Sequence, residues 1–280
     1  MRGGPVSYVA PGTAPKRLTP RAFASAKGRA EPLVVVAAYD ALFARLAEEG
    51  GVDAVLVGDS LGNVVAGYDS TLPVTLDVMI HHGAAVRRGA SRALVIVDMP
   101  FLTYEVSTER ALLNAGRVMQ EARCDAVKLE GGSEETAATV AALVRAGIPV
   151  MGHVGFTPQR VNVLGGFRVQ GRAADDAARI VAEARRLEAA GAFSIVLELV
   201  PAAVAERVTA AVGVPTIGIG AGAACDGQVL VLADLLGLTD GFKPKFVKRY
   251  ADAAGDVRGA VARFAAEVRG RAYPDADHSF

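Results

Sequence analysis

The chain has 280 residues, of which 51% are apolar, and its 30 basic side chains are matched by 30 acidic ones. That apolar fraction excludes a disordered chain and allows a large core. The neutral balance gives no reason to expect nucleic acid or an anionic membrane as partner. No apolar run approaches the roughly 18 residues of a spanning helix.

The N-terminus is rich in Ala, Gly and Pro and lacks the apolar segment of a secretory signal. Residues 1–17 read as a flexible tail and 18–27 as a short leading helix. Residues 18–280 then form one domain, because no linker divides them. Cys124 and Cys225 are too few for a disulfide scaffold and lack metal-site spacing. Two reduced thiols in a cytoplasmic protein are the expectation.

From Leu33 on, one pattern recurs. A short β-branched run ends in glycine or a polar residue, and an Ala-, Leu-, Arg- and Glu-rich helical stretch usually follows. The runs are "LVVVAAYD" (33–40), "DAVLVGDS" (53–60), "ALVIVDMP" (93–100), "DAVKLEGG" (125–132), "PVMGHVGF" (149–156), "SIVLELVP" (194–201), "PTIGIGAG" (215–222) and "QVLVLADL" (228–235). Helices are predicted over 41–49, 76–88, 108–123, 134–146, 173–190, 202–211 and 257–269. Strands alternating with helices imply parallel pairing through crossovers. Continuous apolar strands agree, since parallel sheets are buried on both faces. The count and the length favour a closed (β/α)8 TIM barrel over an open doubly wound sheet. The link between the seventh and eighth runs is too short for a full helix.

Two long connections, "LGNVVAGYDSTLPVT" and "TPQRVNVLGGFRVQGR", follow the second and fifth runs. Both leave strand C-terminal ends, where barrel active sites sit, and loops this long are usually functional. Charges interrupt the runs at the same ends: Asp40, Asp59 with Ser60, Asp98, Lys128 with Glu130, His153 and Glu198. Asp40 reads as a helix N-cap. His81 and His82 fall in a helical stretch and read as surface or packing residues. "GIGAG" (218–222) lacks dinucleotide spacing and reads as close backbone packing at a barrel rim.

On neighbouring strands, Asp59, Asp98 and Glu130 would fall within roughly 10 Å of one another. Two carboxylates 4 Å apart repel by about 4 kcal/mol at an effective dielectric of 20. Lys128 is too little compensation for three of them. An all-oxygen donor set without thiolate favours a hard divalent ion, with Mg2+ the default. The competing account is a coincidental set of caps and ion pairs, and the cost of burying same-sign charge weighs against it.

The motifs "GDSLGNVVAGYDSTLPVTLDVMIHH", "AVKLEGG", "MGHVGFTPQ", "GGFRVQGR", "VLELVP", "GIGAGAACDGQVLV" and "YPDADHSF" resemble the ketopantoate hydroxymethyltransferase (3-methyl-2-oxobutanoate hydroxymethyltransferase) family of pantothenate biosynthesis. The resemblance runs from about residue 18 to 280. It implies a (β/α)8 barrel of the phosphoenolpyruvate/pyruvate type, a homodecamer, Mg2+, and transfer of a one-carbon unit from 5,10-methylenetetrahydrofolate to 3-methyl-2-oxobutanoate. By motif match it implies Asp59, Asp98 and Glu130 as metal residues. Asp59, Ser60, Asp98, Lys128 and His153 become substrate-binding residues, and Glu198 the catalytic base. Ala38, Asn63 and Val78 depart from the family's frequent Thr, Met and acidic residue, and none removes a proposed ligand.

Two other readings share parts of this pattern. A Mg2+-dependent carbon–carbon lyase or phosphonomutase-like barrel acting on a 2-oxo acid would normally bring a reactive cysteine in the mouth loops, and neither cysteine lies in such a signature. A non-enzymatic 2-oxo acid sensor would be favoured were Glu198 or a ligand missing, and all are present.

Overall fold

The computed structural model describes residues 17–239 and 243–280. The expected tail, residues 1–17, lies outside the described residues except for Arg17, which pairs with Asp125 at 2.6 Å. Eight parallel strands close into a barrel in sequence order. They are β1 (Leu33–Ala37), β2 (Ala54–Val57), β3 (Leu94–Asp98), β4 (Ala126–Glu130), β5 (Val150–Gly155), β6 (Ser194–Glu198), β7 (Thr216–Ile219) and β8 (Gly227–Val231). Closure comes from β1 against β8, in register from Leu33↔Gly227 to Ala37↔Val231.

Alternation along each strand sorts side chains into two layers. Leu33, Val35, Ala54, Leu56, Leu94, Ile96, Ala126, Met151, Val196, Ile217 and Val229 form one buried cluster, with Phe23 and Phe193. Their neighbours Val36, Val55, Val95, Val97, Val127, Leu129 and Val154 join a second cluster with helix residues such as Met79, Ala115, Leu143 and Leu187. The first cluster is the barrel interior and the second the strand–helix layer. The interior set, carried two or four residues toward the strand C-termini, yields Asp98, Lys128, Glu130, His153 and Glu198. The core's own periodicity therefore delivers the polar side chains into the mouth.

The opposite end is plugged. The helix Pro20–Ala24 is capped by Thr19, whose hydroxyl accepts from the Ala22 amide. It inserts Phe23, fully buried, edge-on against Phe193 with ring centroids 5.9 Å apart.

Several expected boundaries shift. The leading helix is shorter than 18–27, because Ser25 caps it and the chain turns through Gly28 at φ +69°. The helix expected over 108–123 is α-helical over Thr108–Arg117 and widens to a π-turn over Val118–Ala122. Arg123 then takes a left-handed φ of +55°, which ends it. The eighth run is strand only to Val231, and its remainder, Leu232–Leu235, is a short helix of good helix formers. The last helix starts earlier than 257, at Ala253, capped by the Asp252 side chain on the Gly255 amide. Asp40 caps its helix as expected, accepting from the Phe43 amide at 2.8 Å. At the glycine rim, a Cβ on Gly220 (φ +63°) would meet Leu199 at 2.9 Å, so the tight-packing reading holds there.

Candidate active site

At the C-terminal mouth a cavity of about 140 Å3 is lined by Asp59, Ser60, Asp98, Lys128, Glu130, His153 and Glu198, with Asn63, Thr71 and Phe167 among its walls. All seven residues singled out from the sequence meet there. Strand register explains it: Asp98 pairs with Lys128, Glu130 with His153, and Gly155 with Glu198. A larger apolar cavity of about 270 Å3, behind Tyr39, Phe43, Val64 and Leu236, adjoins it. Its one carboxylate, Asp40, is occupied as a helix cap. The chemistry therefore belongs to the smaller cavity.

The charged group is deeply buried. His153 is 1% exposed, Asp59 and Glu130 2%, Asp98 3% and Lys128 4%, so each charge needs a partner. Lys128 Nζ stands 2.8 Å from Asp98 Oδ1 and 3.8 Å from Glu130 Oε1. Burial opposes its charge, but Asp98, Glu130 and Asp59 outweigh that and raise its pKa. His153 lies between two carboxylates, Nδ1 3.4 Å from Glu130 Oε1 and Nε2 3.3 Å from Glu198 Oε2. Burial disfavours the imidazolium, yet Glu130 and Glu198 prevail and lift its pKa to about 9. Glu130, against its own burial, is held below the usual carboxylate range by His153 and Lys128.

Two cations thus face three buried carboxylates, and the surplus falls on Asp59. Burial first, then Glu130 and Asp98, push its pKa well above the ordinary value. The Asp59 amide donates to Asp98 Oδ2 at 3.1 Å, which ties the two aspartates together. In the turn bringing them close, a Cβ on Gly58 would lie 2.9 Å from Ser60 Oγ, so a side chain there would displace that hydroxyl. Ser60 Oγ is 2.9 Å from the Tyr39 hydroxyl.

Among the described residues, no three His, Cys, Asp or Glu side chains converge on one point as a ready-made cage would. Asp59 and Asp98 still offer hard oxygen donors, and Asp98 Oδ1, which makes no aligned hydrogen bond, is met by the Lys128 ammonium at 2.8 Å. A hydrated divalent ion held by one or two carboxylates suits that arrangement and would offset the negative charge crowded around Asp59.

Sequence reasoning missed Gln159. It is buried, in the turn that opens the long connection after β5. Its Nε2 donates to Asp59 Oδ2 and to the Met99 carbonyl, both at 2.9 Å, and its Oε1 accepts from the Tyr104 hydroxyl at 2.9 Å. Its main-chain amide donates to Glu130 Oε2 at 3.1 Å. The only signal was its place in "MGHVGFTPQ", directly after a site strand. His82 serves packing, with Nδ1 2.6 Å from the Tyr39 carbonyl. Both cysteines are free and buried, and neither lines this cavity.

Fold and site define a (β/α)8 barrel with a buried, charged cavity at the C-terminal ends of its strands. A solved 2,3-dimethylmalate lyase, described as a member of the PEP mutase/isocitrate lyase superfamily, superposes with a TM-score of 0.57 at 16% identity over 93% of this chain and 91% of its own. A phosphonopyruvate hydrolase in complex with oxalate and Mg2+ superposes with a TM-score of 0.58 at 16% identity, over 93% of each chain. Sequence resolves the family more finely. The ketopantoate hydroxymethyltransferase profile matches residues 17–276. The 3-methyl-2-oxobutanoate hydroxymethyltransferase of Syntrophus aciditrophicus (strain SB) is 52% identical over 265 residues, 95% of this chain and 97% of that protein. The chain belongs to the ketopantoate hydroxymethyltransferase family.

Proposed function

We propose that this protein transfers a hydroxymethyl unit from 5,10-methylenetetrahydrofolate to 3-methyl-2-oxobutanoate, giving ketopantoate for pantothenate biosynthesis. The observation that carries this reading is the placement of Glu198. It shares the cavity with Asp59 and Asp98 but stands across His153 from the buried Lys128 group. A base is thereby kept apart from the residues that hold the substrate's oxygens.

The family's substrate is a 2-oxo acid with one acidic hydrogen at C3. Lys128 supplies positive charge for its carboxylate or keto oxygen, and Ser60 supplies a hydroxyl held by Tyr39. Glu198 removes the C3 proton as general base. His153, with its ring nitrogens 3.4 Å from Glu130 and 3.3 Å from Glu198, places positive charge beside both carboxylates. The resulting enolate carbon forms the new bond to the folate-borne methylene carbon and water supplies its hydroxyl, while both carbon–nitrogen bonds to the folate break and tetrahydrofolate leaves, its nitrogens taking up the C3 proton and one from the water. Asp59 and Asp98 would hold Mg2+, with Glu130 contributing charge or a water-mediated contact. That ion, when bound, polarises the ketone and stabilises the enolate. The Mg2+ and oxalate, a small dicarboxylate, bound by the similar phosphonopyruvate hydrolase barrel support this reading.

We place the catalytic barrel at residues 18–280. Unpaired thiols support a cytoplasmic setting. No helix of the described residues is long and apolar enough to cross a membrane. A homodecamer is the assembly the family implies. It is supported by the helix Ala253–Arg269, which leaves Val257, Val261, Phe264 and Val268 exposed at one-face spacing. A lyase or phosphonomutase reading finds no reactive cysteine in this cavity.

The test supplies 3-methyl-2-oxobutanoate, 5,10-methylenetetrahydrofolate and Mg2+ together and detects product by mass spectrometry. Ketopantoate formation supports the assignment, and its absence under these conditions overturns it.

A further inference from the structure

We propose that Gln159 is a positioning residue that engages one oxygen of Asp59 and one of Glu130, so that neither carboxylate can offer both to an ion, and thereby tunes the site to a small octahedral cation over a larger one. This inference rests on the divalent-ion reading given above.

The Gln159 carboxamide cannot be flipped. The Met99 carbonyl only accepts, so Nε2 must face it at 2.9 Å. The second Nε2 hydrogen then points at Asp59 Oδ2, also at 2.9 Å. Oε1 is held by the Tyr104 hydroxyl at 2.9 Å, and that hydroxyl in turn accepts from the Glu130 amide at 3.2 Å. The side chain is 4% exposed and Tyr104 is likewise 4% exposed, so water does not compete for these bonds. Every end of the amide is therefore committed.

The consequence falls on the carboxylates. Asp59 has Oδ2 engaged by Gln159, and Oδ1 takes no part in this network. Glu130 has Oε2 engaged by the Gln159 main chain at 3.1 Å, while Oε1 faces Lys128 and His153. Asp98 has Oδ2 engaged by the Asp59 amide, and its Oδ1 is paired with Lys128 Nζ at 2.8 Å. No carboxylate of the three can offer both oxygens to one ion without breaking a buried hydrogen bond. Ca2+ readily takes bidentate carboxylates and six to eight oxygens, whereas Mg2+ takes six ligands at short distance and keeps several waters. A set of single oxygens matches the second ion. The Gln159 side chain, pinned to main chain and tyrosine, makes that restriction permanent at Asp59.

The test measures affinities of Mg2+ and Ca2+ by calorimetric titration in wild type, Gln159→Leu and Tyr104→Phe. Circular dichroism checks the fold of each variant. Gln159→Leu keeps the volume but donates nothing, and it should weaken Mg2+ about 10-fold while Ca2+ changes less than threefold or tightens. Tyr104→Phe, which loosens the amide without removing it, should shift the Mg2+/Ca2+ ratio in the same direction by a smaller factor. It decides the matter alone if Gln159→Leu does not fold. An unchanged ratio in the folded variants overturns this inference. Wild-type protein that binds neither ion overturns the divalent-ion reading beneath it.

Discussion

His153 Nε2 lies 3.3 Å from Glu198 Oε2, across the gap between β5 and β6. The imidazole is almost fully buried, and its other nitrogen faces Glu130 at 3.4 Å. One ring thus joins the carboxylate assigned as base to the buried acidic group.

His153 should be doubly protonated at pH 7.5, because Glu130 and Glu198 raise its pKa to about 9 from 6.5. A histidine pKa raised in the folded state means stabilisation that is fully present below about 6.5 and lost as pH rises through about 9. Long-range proton–nitrogen NMR reads the ring directly. Glu198→Gln should move its titration downward, and a neutral tautomer in wild type at pH 7 would contradict this assignment.

Glu198→Gln should lower kcat by at least about 100-fold, the usual scale for removing a general base. Titration with the oxo acid should show affinity within about threefold of wild type, because the proposed binding contacts are those of Lys128 and Ser60. Lost binding with kcat unchanged would make Glu198 a ligand instead.

Lys128→Met should destabilise the protein by about 3 kcal/mol at pH 8, since it strands Asp98 as a buried charge. Burial already raises the Asp98 pKa even with Lys128 beside it. Removing the lysine raises it further, so the loss should shrink toward pH 5 as Asp98 takes a proton. Urea unfolding at the two pH values measures both numbers, and equal losses would contradict the pairing.

Divalent cation should stabilise the protein by about 2.7 kcal/mol at 100 times its Kd. Asp59, held toward its protonated form by burial, Glu130 and Asp98, must release that proton on binding. Mg2+ affinity should therefore rise as the pH is raised. Calorimetry in two buffers of different ionisation heat would expose the proton release. A pH-independent affinity with no release would place the ion elsewhere.

The barrel was legible because parallel strands leave a clear trace, short β-branched runs ending in polar residues. Asp59, Asp98, Lys128, Glu130 and Glu198 stood out because a charge at the end of such a run is costly unless it has work. Ser60 and His153 were reached by position and by resemblance. Gln159 stayed hidden since a neutral side chain in a loop shows its worth only through its partners, Asp59 and Glu130, which lie 100 and 29 positions away in sequence. The π-turn before Arg123 and the short helix after Val231 were missed for a related reason. Local propensity continues across both, and tertiary packing decides where the regular element stops.

The exposed stripe Val257, Val261, Phe264 and Val268 should be covered in the assembled protein. Analytical ultracentrifugation of wild type should give a ten-subunit mass, and the pair Val261→Glu and Phe264→Glu should give smaller species. A wild-type monomer at micromolar concentration would remove the decamer from the account.

The central claim, that Glu198 takes the C3 proton in this cavity, is tested most directly by hydrogen exchange. 3-Methyl-2-oxobutanoate is incubated in D2O with enzyme, Mg2+ and tetrahydrofolate, and loss of the C3 proton signal is followed by NMR. Exchange in wild type that falls at least about 100-fold in Glu198→Gln is the predicted result. Exchange at the wild-type rate in Glu198→Gln would contradict it.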